Sequence, residues 1–243
     1  MDLVRELERR PEKNKNRYYD VTVIIPTLNE EDNIGQLIKD IFKTYPAINI
    51  IVSDDGSTDR TKEIVENMPF CRFIDRSDKD IKGLTISVID AVRQTKSMHC
   101  VIIDGDGQHP YMKIGEMVEK LRHGAEIVVG TRTAVPGWAL NRRIMSIGAS
   151  YLGNLCLYLR RSPKCADVMS GFFAVDTTLF ITYLELKYYR FELRGYKVLF
   201  DLLKVLPKHI VVDKVEYEFG TRRGGTSKIN KSHIKLYFWS LFK

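Results

Sequence analysis

Val101-Ile102-Ile103-Asp104-Gly105-Asp106 is the most informative part of this sequence, because an apolar run ends there in two carboxylates one residue apart. Side chains at alternate positions of an extended backbone project to the same side, so both carboxylates can face one ligand. At the mouth of a buried strand they can hold one divalent cation and leave room for a ligand's phosphates. Gln108, two residues further on, can add a neutral oxygen. The stretch therefore predicts a buried strand that leads into a metal site.

An alternation of strands and helices surrounds this stretch. Apolar runs predict strands over Val21–Ile25, Ile48–Ser53, Phe70–Ile74, Cys100–Ile103 and Glu126–Val129. Apolar residues at helical spacing predict helices over 31–44, 58–68 and 84–95, and Pro110 suits the first turn of another helix. This order is typical of a mainly parallel sheet with helices on both faces. Ligands bind such sheets at the carboxyl ends of the strands, which is where the polar loops of this chain fall.

Two of these polar loops follow the first two predicted strands. In Pro26–Glu30, Asn29 can satisfy orphan N–H groups of the following helix and Glu30 suits the positive end of its dipole, so capping alone is one interpretation. In Asp54–Asp59, the Gly-Ser-Thr that follows the two aspartates permits a tight turn and a cap. Capping does not call for two adjacent, mutually repelling carboxylates. This second loop therefore favours a ligand role, in which a carboxylate accepts hydrogen bonds from a base N–H or a ribose hydroxyl.

The alternation stops after Arg132, where an apolar stretch flanked by arginines begins. Asn141–Arg161 holds about 16 residues between its two arginine pairs, fewer than the roughly 20 that span a bilayer. An interfacial helix, a core helix and a span compete as interpretations, and the flanking arginines and internal tyrosines favour a helix in the headgroup plane. Lys231–Lys243 is again basic and aromatic, and favours a second interfacial helix or the approach to a membrane segment.

Charge and cysteine usage narrow the class of protein. The chain has 243 residues, 44% of them hydrophobic, and a formal net charge of +7 that favours an anionic partner: nucleic acid, a phosphate-rich ligand or an acidic membrane face. Four widely spaced cysteines argue against a thiolate zinc site and a disulfide scaffold, and favour a reducing compartment. Residues 1–19 are polar and lack the apolar segment of a signal peptide.

In combination, the three polar loops resemble the nucleotide-sugar-binding half of a family 2 glycosyltransferase with the GT-A fold. Four later motifs are similar to those of the polyprenyl-phosphate glycosyltransferases, the group typified by dolichyl-phosphate mannose synthase. They are Gly130-Thr131-Arg132, Arg142-x-x-x-Ser146, Asp167-x-x-Ser170-Gly171 and Arg222-x-x-Gly225-x-Ser227-Lys228. The resemblance runs from about Val21 to Lys228. Asp201 stands where relatives often carry Glu.

The resemblance implies an α/β fold with a mainly parallel, Rossmann-like sheet covered by helices, and amphipathic interfacial helices towards the C-terminus. It divides the chain into a polar N-terminal extension (1–19), a catalytic domain (20–230) that includes the interfacial helix 141–161, and a basic aromatic juxtamembrane helix (231–243). The implied cofactor is Mg²⁺ or Mn²⁺. The implied partners are a nucleotide sugar, a polyprenyl phosphate lipid and a membrane surface, with no nucleic acid.

The resemblance also implies roles for individual residues. Contacts to the nucleotide sugar are implied for Pro26, Asn29, Glu30, Asp54, Asp55, Asp104, Gly105, Asp106 and Gln108. Metal ligation is implied for Asp104, Asp106 and Gln108. Contacts to the acceptor phosphate are implied for Arg132, Arg142, Ser146, Ser170, Arg222 and Lys228. The catalytic set is Asp104, Asp106, Arg132 and Arg222.

These expectations combine into one reaction. A phosphate monoester is already mostly ionised near neutral pH, so as a nucleophile it needs orientation by arginines more than a general base. The expected activity is an inverting, metal-dependent transfer of a hexose to dolichyl or another polyprenyl phosphate at the cytoplasmic face of a membrane. GDP-mannose is the first choice of donor and UDP-glucose the alternative.

Other functions fit the sequence less well. A haloacid-dehalogenase-like phosphatase also places Asp-x-Asp after a strand, but there the motif normally opens the chain and continues with Thr. A calcium loop fails because His109 stands where that loop needs Gly. A non-enzymatic membrane scaffold explains the basic charge but not the acidic loops.

Overall fold

The computed structural model of the protein describes residues 17–134, 140–220 and 231–243. Its strands are β1 (Val21–Thr27), β2 (Asn49–Asp54), β3 (Arg72–Asp75), β4 (His99–Ile102), β5 (Ile127–Ala134), β6 (Phe173–Asp176) and β7 (Val212–Glu218). Its α-helices are α1 (Ile34–Thr44), α2 (Thr61–Glu66), α3 (Leu84–Gln94), α4 (Ile114–Arg122), α5 (Leu140–Leu159), α6 (Thr177–Lys187), α7 (Val198–Leu203) and α8 (Lys231–Phe242). Two short 3₁₀ turns, Tyr111–Lys113 and Tyr188–Arg190, precede α4 and follow α6.

The described strands form one sheet in the order β3-β2-β1-β4-β6-β5-β7. Strands β1 to β4 are mutually parallel where they pair, and β5 is parallel to β7. Only β6 among them runs the other way, and it is antiparallel to both β4 and β5. The α/β fold with a mainly parallel sheet is therefore confirmed, with one reversed strand at its centre.

Burial on both faces of the sheet explains why its central strands are almost continuously apolar. All seven residues of β1 and all four of β4 are buried. One face is covered by α1 and α4 and the other by α3 and the helices after β5. Helix α1, for example, buries Ile34, Leu37, Ile38 and Ile41. Each such side chain contributes about 1.5–3 kcal/mol through burial.

The parallel half of the sheet lies where the sequence predicts it, and the other half was missed. Each of the five predicted strands overlaps an observed one, and β5 continues beyond its predicted end to Ala134. Strands β6 and β7 and helices α6 and α7 were not predicted. Strand β6 ends at Asp176 and α6 begins at the next residue, so no turn in the sequence marks where the strand stops. Strand β7 alternates charged residues with the buried Val215 and Tyr217, a period-two signal that was present but overlooked.

The C-terminal helix α8 is attached to the core through buried polar contacts. Lys204 Nζ lies 2.6 Å from Asp201 Oδ1, and the two side chains are 0% and 2% exposed. Lys204 also donates to the carbonyl and hydroxyl oxygens of Ser240 on α8, both at 2.9 Å. Burial raises the pKa of Asp201 and lowers that of Lys204, and each is opposed by the partner's charge. The pair thus gives Asp201 a structural role.

We expect Lys204→Met to lower the free energy of unfolding by about 3–5 kcal/mol, because it leaves the Asp201 carboxylate buried without its partner. Chemical denaturation measures this loss. The matched control is Lys62→Met, since Lys62 pairs with Asp75 at 2.7 Å but is half exposed, and such pairs contribute about 1 kcal/mol or less. Equal losses in the two variants would contradict the structural role of the buried pair.

Candidate active site

The loops after β1, β2 and β4 meet at one edge of the sheet. The register pairs Thr27 with Asp54, at the ends of β1 and β2. The Ile103 amide continues the β1–β4 pairing by donating to the Ile24 carbonyl at 3.1 Å, which leaves Asp104 at the same edge. The structure therefore brings together the predicted nucleotide-sugar residues Pro26, Asn29, Glu30, Asp54, Asp55, Asp104, Gly105, Asp106 and Gln108.

Asp54 organises its own loop. Its Oδ1 accepts hydrogen bonds from the amides of Gly56 (3.1 Å) and Ser57 (2.7 Å), and its Oδ2 accepts from the hydroxyls of Ser57 and Thr27. Asp54 thus has a task that the sequence analysis did not anticipate, because this carboxylate is the acceptor that closes the turn. A carboxylate offers about four acceptor positions and these four bonds occupy them, so a nucleotide would have to replace one of them, and the role of Asp54 in nucleotide binding stays a prediction.

The neighbouring Asp55 is held by a buried arginine that the sequence analysis missed. Arg76 is 1% exposed and donates from Nη1 to Asp55 (3.1 Å), from Nε to Asp90 (3.0 Å) and from Nη2 to the Ile81 carbonyl (2.9 Å). Burial raises the pKa of Asp55, while the Gly83 amide at 2.6 Å and the Arg76 charge oppose that rise. Arg76 thus offsets the repulsion expected between adjacent carboxylates. An isolated arginine after a short strand gave no pattern that could reveal this.

Asn29 joins the first two loops instead of capping α1. Its Oδ1 accepts from the Thr58 amide at 2.7 Å, and its own amide donates to the Ser57 hydroxyl at 2.7 Å. Its φ of 52° lies in the left-handed region, which Asn tolerates better than most residues. Glu30 is 8% exposed and accepts from the Asn33 side chain at 3.2 Å. The interpretation of this loop as a cap of α1 therefore does not describe Asn29.

The loop after β4 carries the predicted metal ligands. Asp104 Oδ2 lies 3.1 Å from His109 Nε2, whereas Oδ1 is buried without a hydrogen-bond partner in the described structure. Asp106 is 8% exposed, and its Oδ1 accepts from the Gln108 amide at 3.1 Å. Gln108 Nε2 donates to the Gly220 carbonyl at 2.9 Å, and the Gly220 amide donates back to the Gln108 carbonyl at 2.9 Å. The metal loop is thereby fixed to the end of β7.

The donor set fits a hard divalent cation. An orphaned carboxylate oxygen such as Asp104 Oδ1 is costly unless something binds it, and Mg²⁺ prefers oxygen ligands from one or two carboxylates together with substrate phosphates. Within residues 17–134, 140–220 and 231–243, no three His, Cys, Asp or Glu side chains enclose a metal position. Two carboxylates and an amide oxygen would therefore form an open site that a diphosphate completes.

Gly171 supports the metal loop from behind. A Cβ at this position would lie 2.5 Å from Asp104 Oδ2 and 2.9 Å from Oδ1, closer than real Cβ contacts come. Only glycine lets the backbone approach the carboxylate this closely. The Asp167-x-x-Ser170-Gly171 motif thus lies against the carboxylate of Asp104, a predicted metal ligand.

Several basic side chains lie near Asp104. Burial would raise the pKa of Asp104, but the hydrogen bond from His109 and the nearby charges of Lys197 and Arg132 outweigh it and lower that pKa below its ordinary value. Lys197, which the sequence analysis missed, donates to the Met169 carbonyl at 2.6 Å. The site thus places positive charge beside the predicted diphosphate position.

Arg132 is fixed by a carboxylate. Its Nε and Nη2 donate to the two oxygens of Asp167 at 2.7 and 2.9 Å, and the two side chains are 13% and 10% exposed. Its guanidinium carbon also lies 5.8 Å from the centre of the Phe219 ring. Such a two-pronged pair fixes the orientation of the guanidinium plane. Arg132 is therefore preorganised near Asp104, and its contact to an acceptor phosphate stays a prediction.

The structure describes some of the other predicted acceptor residues and not the rest. Ser170 is 3% exposed and its hydroxyl donates to the Gly130 carbonyl at 2.7 Å, which is typical of a residue that shapes a loop. Ser146 lies on α5 four residues after Arg142, so the two share a helix face. The Arg142 side chain, Arg222 and Lys228 lie outside the described part of the structure.

The sequence of this chain is similar to those of several known proteins. Residues 22–184 match the family model described as "Glycosyl transferase family 2". The dolichol-phosphate mannosyltransferase of Pyrococcus furiosus is 32% identical over 92% of this chain, which spans 63% of that protein's length. The corresponding protein of Saccharomyces cerevisiae is 29% identical over 90% of the chain and 85% of its own length.

Solved structures with the same architecture include glucosyl-3-phosphoglycerate synthase from Mycobacterium tuberculosis. Its complex with phosphoglyceric acid superimposes with a TM-score of 0.66 at 19% identity, covering 96% of this chain and 86% of the other. Its complex with Mn²⁺, UDP-glucose and glycerol 3-phosphate gives a TM-score of 0.57 over 90% and 79%. At this identity the likeness shows the fold, and the GT-A fold expected from the sequence is confirmed. With the family model matching more than half of its residues, the chain belongs to glycosyl transferase family 2.

Proposed function

We propose that this protein transfers a hexose from a nucleotide sugar to the phosphate of dolichol or another polyprenol at the cytoplasmic face of a membrane. The observation that carries the proposal is the closeness of the predicted donor and acceptor groups, since Asp167 holds Arg132 and Gly171, four residues further on, lies against the Asp104 carboxylate. Relatives named as dolichol-phosphate mannosyltransferases support mannose as the sugar and dolichyl phosphate as the acceptor. GDP-mannose is therefore the donor of first choice, and UDP-glucose the alternative.

The chemistry assigns separate tasks to the two sides of the site. Asp104, Asp106 and Gln108 would hold Mg²⁺ or Mn²⁺, which offsets the negative charge that a leaving diphosphate gains. On the acceptor side, Arg132 with Arg142 and Arg222 would orient the phosphate monoester, whose oxygen attacks the anomeric carbon while the bond to the diphosphate breaks. A single displacement of this kind inverts the anomeric centre. No proton has to leave the nucleophile, so orientation by arginine suffices without a general base.

A panel of nucleotide sugars tests the function. We expect GDP-mannose with Mn²⁺ to raise the melting temperature and to yield a lipid-linked mannose when a short-chain polyprenyl phosphate is supplied. Transfer from UDP-glucose alone would select the alternative donor. Phosphate release from monoesters without sugar transfer would favour a phosphatase, and no response to any nucleotide with metal would favour a scaffold.

The metal assignment makes a separate prediction. Asp106→Asn removes one charge from the cation site while nearly preserving the shape of the side chain. Loss of an outer-shell partner already costs about 10- to 100-fold in such sites, so loss of a direct ligand should lower transfer at limiting Mn²⁺ by more than about 100-fold. Steady-state rates over a Mn²⁺ titration measure this. Asp78→Asn, at an exposed position, is the control, and near-wild-type turnover of Asp106→Asn at limiting metal would refute the assignment.

An apolar surface on α5 and α8 supports the membrane part of the proposal. On α5, Tyr151, Leu155 and Tyr158 are 70%, 42% and 77% exposed, and on α8 Trp239 and Phe242 are 66% and 84% exposed. The opposite side of α5 packs inward, and Tyr237 of α8 donates to the Ala149 carbonyl at 2.7 Å. Among the described helices, none is both long and apolar enough to cross a bilayer. A basic, aromatic face on packed helices suits the headgroup region.

We expect Leu152→Glu combined with Leu155→Glu to release the protein from anionic vesicles without unfolding it, because both side chains are partly exposed. Inserting one leucine contributes about 1.5–3 kcal/mol, so the loss of two, about 3 kcal/mol or more, should lower the partition constant by roughly a hundredfold or more. Vesicle sedimentation measures this, with circular dichroism as the folding check. Met98→Glu with Met112→Glu, at two exposed positions outside these helices, is the matched control. Loss of cooperative unfolding in the leucine variant would instead make α5 a core helix.

A further inference from the structure

His109 occupies the space between the metal loop and β7 without belonging to the predicted ligand set. It is 4% exposed, and both ring nitrogens are engaged: Nε2 lies 3.1 Å from Asp104 Oδ2 and Nδ1 lies 2.8 Å from the Tyr217 hydroxyl. The rings of Phe172, Tyr217 and Phe219 surround it with centroid separations of 5.4, 5.7 and 5.2 Å. The imidazole is thus fixed in position by packing and by a hydrogen bond at each end.

The two partners decide which nitrogen carries the proton. An ionised carboxylate can only accept, so Nε2 must donate to Asp104. In the neutral imidazole Nδ1 is then an acceptor, and the Tyr217 hydroxyl donates to it. Tyr217 therefore selects the Nε2–H tautomer, which is the one that can hold the carboxylate.

This contact divides the two oxygens of Asp104 between different tasks. His109 engages Oδ2, and Oδ1 is the buried oxygen that has no hydrogen-bond partner in the described structure. The Gly171 backbone lies close to the same carboxylate, since a Cβ there would be 2.5 Å from Oδ2 and 2.9 Å from Oδ1. Free rotation would let either oxygen turn towards the histidine, whereas the fixed imidazole holds Oδ2 and keeps Oδ1 as the oxygen without a partner.

We propose that His109 is a positioning residue for the metal carboxylate, with Tyr217 on β7 fixing its tautomer. The inference rests on the proposed metal site and extends it, because imidazole–carboxylate contacts of this kind usually orient ligands and tune metal affinity. His109 does not touch substrate or metal. Its effect passes through Asp104 Oδ2, and the effect of Tyr217 passes through His109.

Two isosteric variants of His109 separate positioning from packing. In His109→Gln the amide nitrogen falls near the place of Nε2 and keeps the donor to Asp104, whereas in His109→Asn the amide nitrogen falls near Nδ1 and the donor is lost. The readout is Mn²⁺ affinity with nucleoside diphosphate, measured by electron paramagnetic resonance of the free ion without sugar or lipid. We expect His109→Asn to weaken Mn²⁺ binding about 10- to 100-fold and His109→Gln to restore most of it.

Tyr217→Phe tests the second link and leaves the ring packing intact. It should weaken Mn²⁺ binding several-fold. The control is Tyr237→Phe on α8, which should leave Mn²⁺ binding unchanged, because Tyr237 is similarly buried and its hydroxyl donates to the Ala149 carbonyl, away from the site. Unfolding midpoints of all four variants provide the folding check. Unchanged Mn²⁺ affinity in a folded His109→Asn or Tyr217→Phe would overturn the proposal, as would equal losses in the Gln and Asn variants.

The same measurement separates this inference from the proposed function. If the wild-type protein binds Mn²⁺ with a nucleoside diphosphate, and the variants follow the expected order, but no sugar reaches a lipid phosphate, then the positioning role stands and the proposed acceptor fails. If the wild-type protein binds no Mn²⁺ with any nucleoside diphosphate, the positioning role is overturned together with the metal assignment.

Discussion

The reversal of β6 is the constraint on which the site depends. The three loops after β1, β2 and β4 reach one edge because parallel strands end there together. Since β6 is antiparallel to β4 and pairs Phe173 with Ile102, it begins at that edge instead of ending there. The segment Asp167–Gly171 that precedes β6 is therefore delivered directly to the metal loop. Strand β5, antiparallel to β6, brings Arg132 to the same edge.

Once the segments have met, the carboxylates at this edge serve two different purposes. Asp54 and Asp55 are surrounded by donors from their own loop, from Gly83 and from Arg76, so they hold the backbone in shape. Asp104 is held on one oxygen only, and its other oxygen is buried without a partner. An unsatisfied buried acceptor costs about 1–3 kcal/mol, and sites that bind ligands are where such a cost is tolerated. The distribution of satisfied and unsatisfied oxygens thus sets Asp104 apart from Asp54 and Asp55.

The sequence predicts the parallel half of this architecture and little of what joins it to the rest. Strands such as β1 are buried on both faces, so their apolar runs are legible without any partner. Strand β6 is defined by its pairing with β4 and β5, and α6 follows it without a turn that would mark its end. The short loops could likewise be recognised as motifs. The hydrogen bonds inside them could not be predicted, which is why the turn-closing role of Asp54 was not anticipated.

Long-range partners account for the residues that were missed at the site. His109 and Tyr217 are 108 positions apart, and no local pattern relates them. Arg76 is buried and joins Asp55 to Asp90. A single charged residue without a motif is normally predicted to lie on the surface, so the sequence does not reveal this contact. Ser170 is adjacent to Gly171 and its hydroxyl is engaged by backbone carbonyls, so its contact to an acceptor phosphate stays a prediction.

The close approach of Gly171 to Asp104 has a consequence for how this protein can vary. Since even a single added carbon would lie 2.5 Å from the carboxylate oxygen, alanine is already excluded there unless the metal loop moves. Most positions in a core accept a neighbour of similar size, because adjacent side chains can repack. Here the neighbour is a carboxylate held between a histidine and a glycine, so a compensating change has no room. Position 171 therefore accepts only glycine for as long as Asp104 keeps its place. Substitutions can accumulate at neighbouring positions but not at this one.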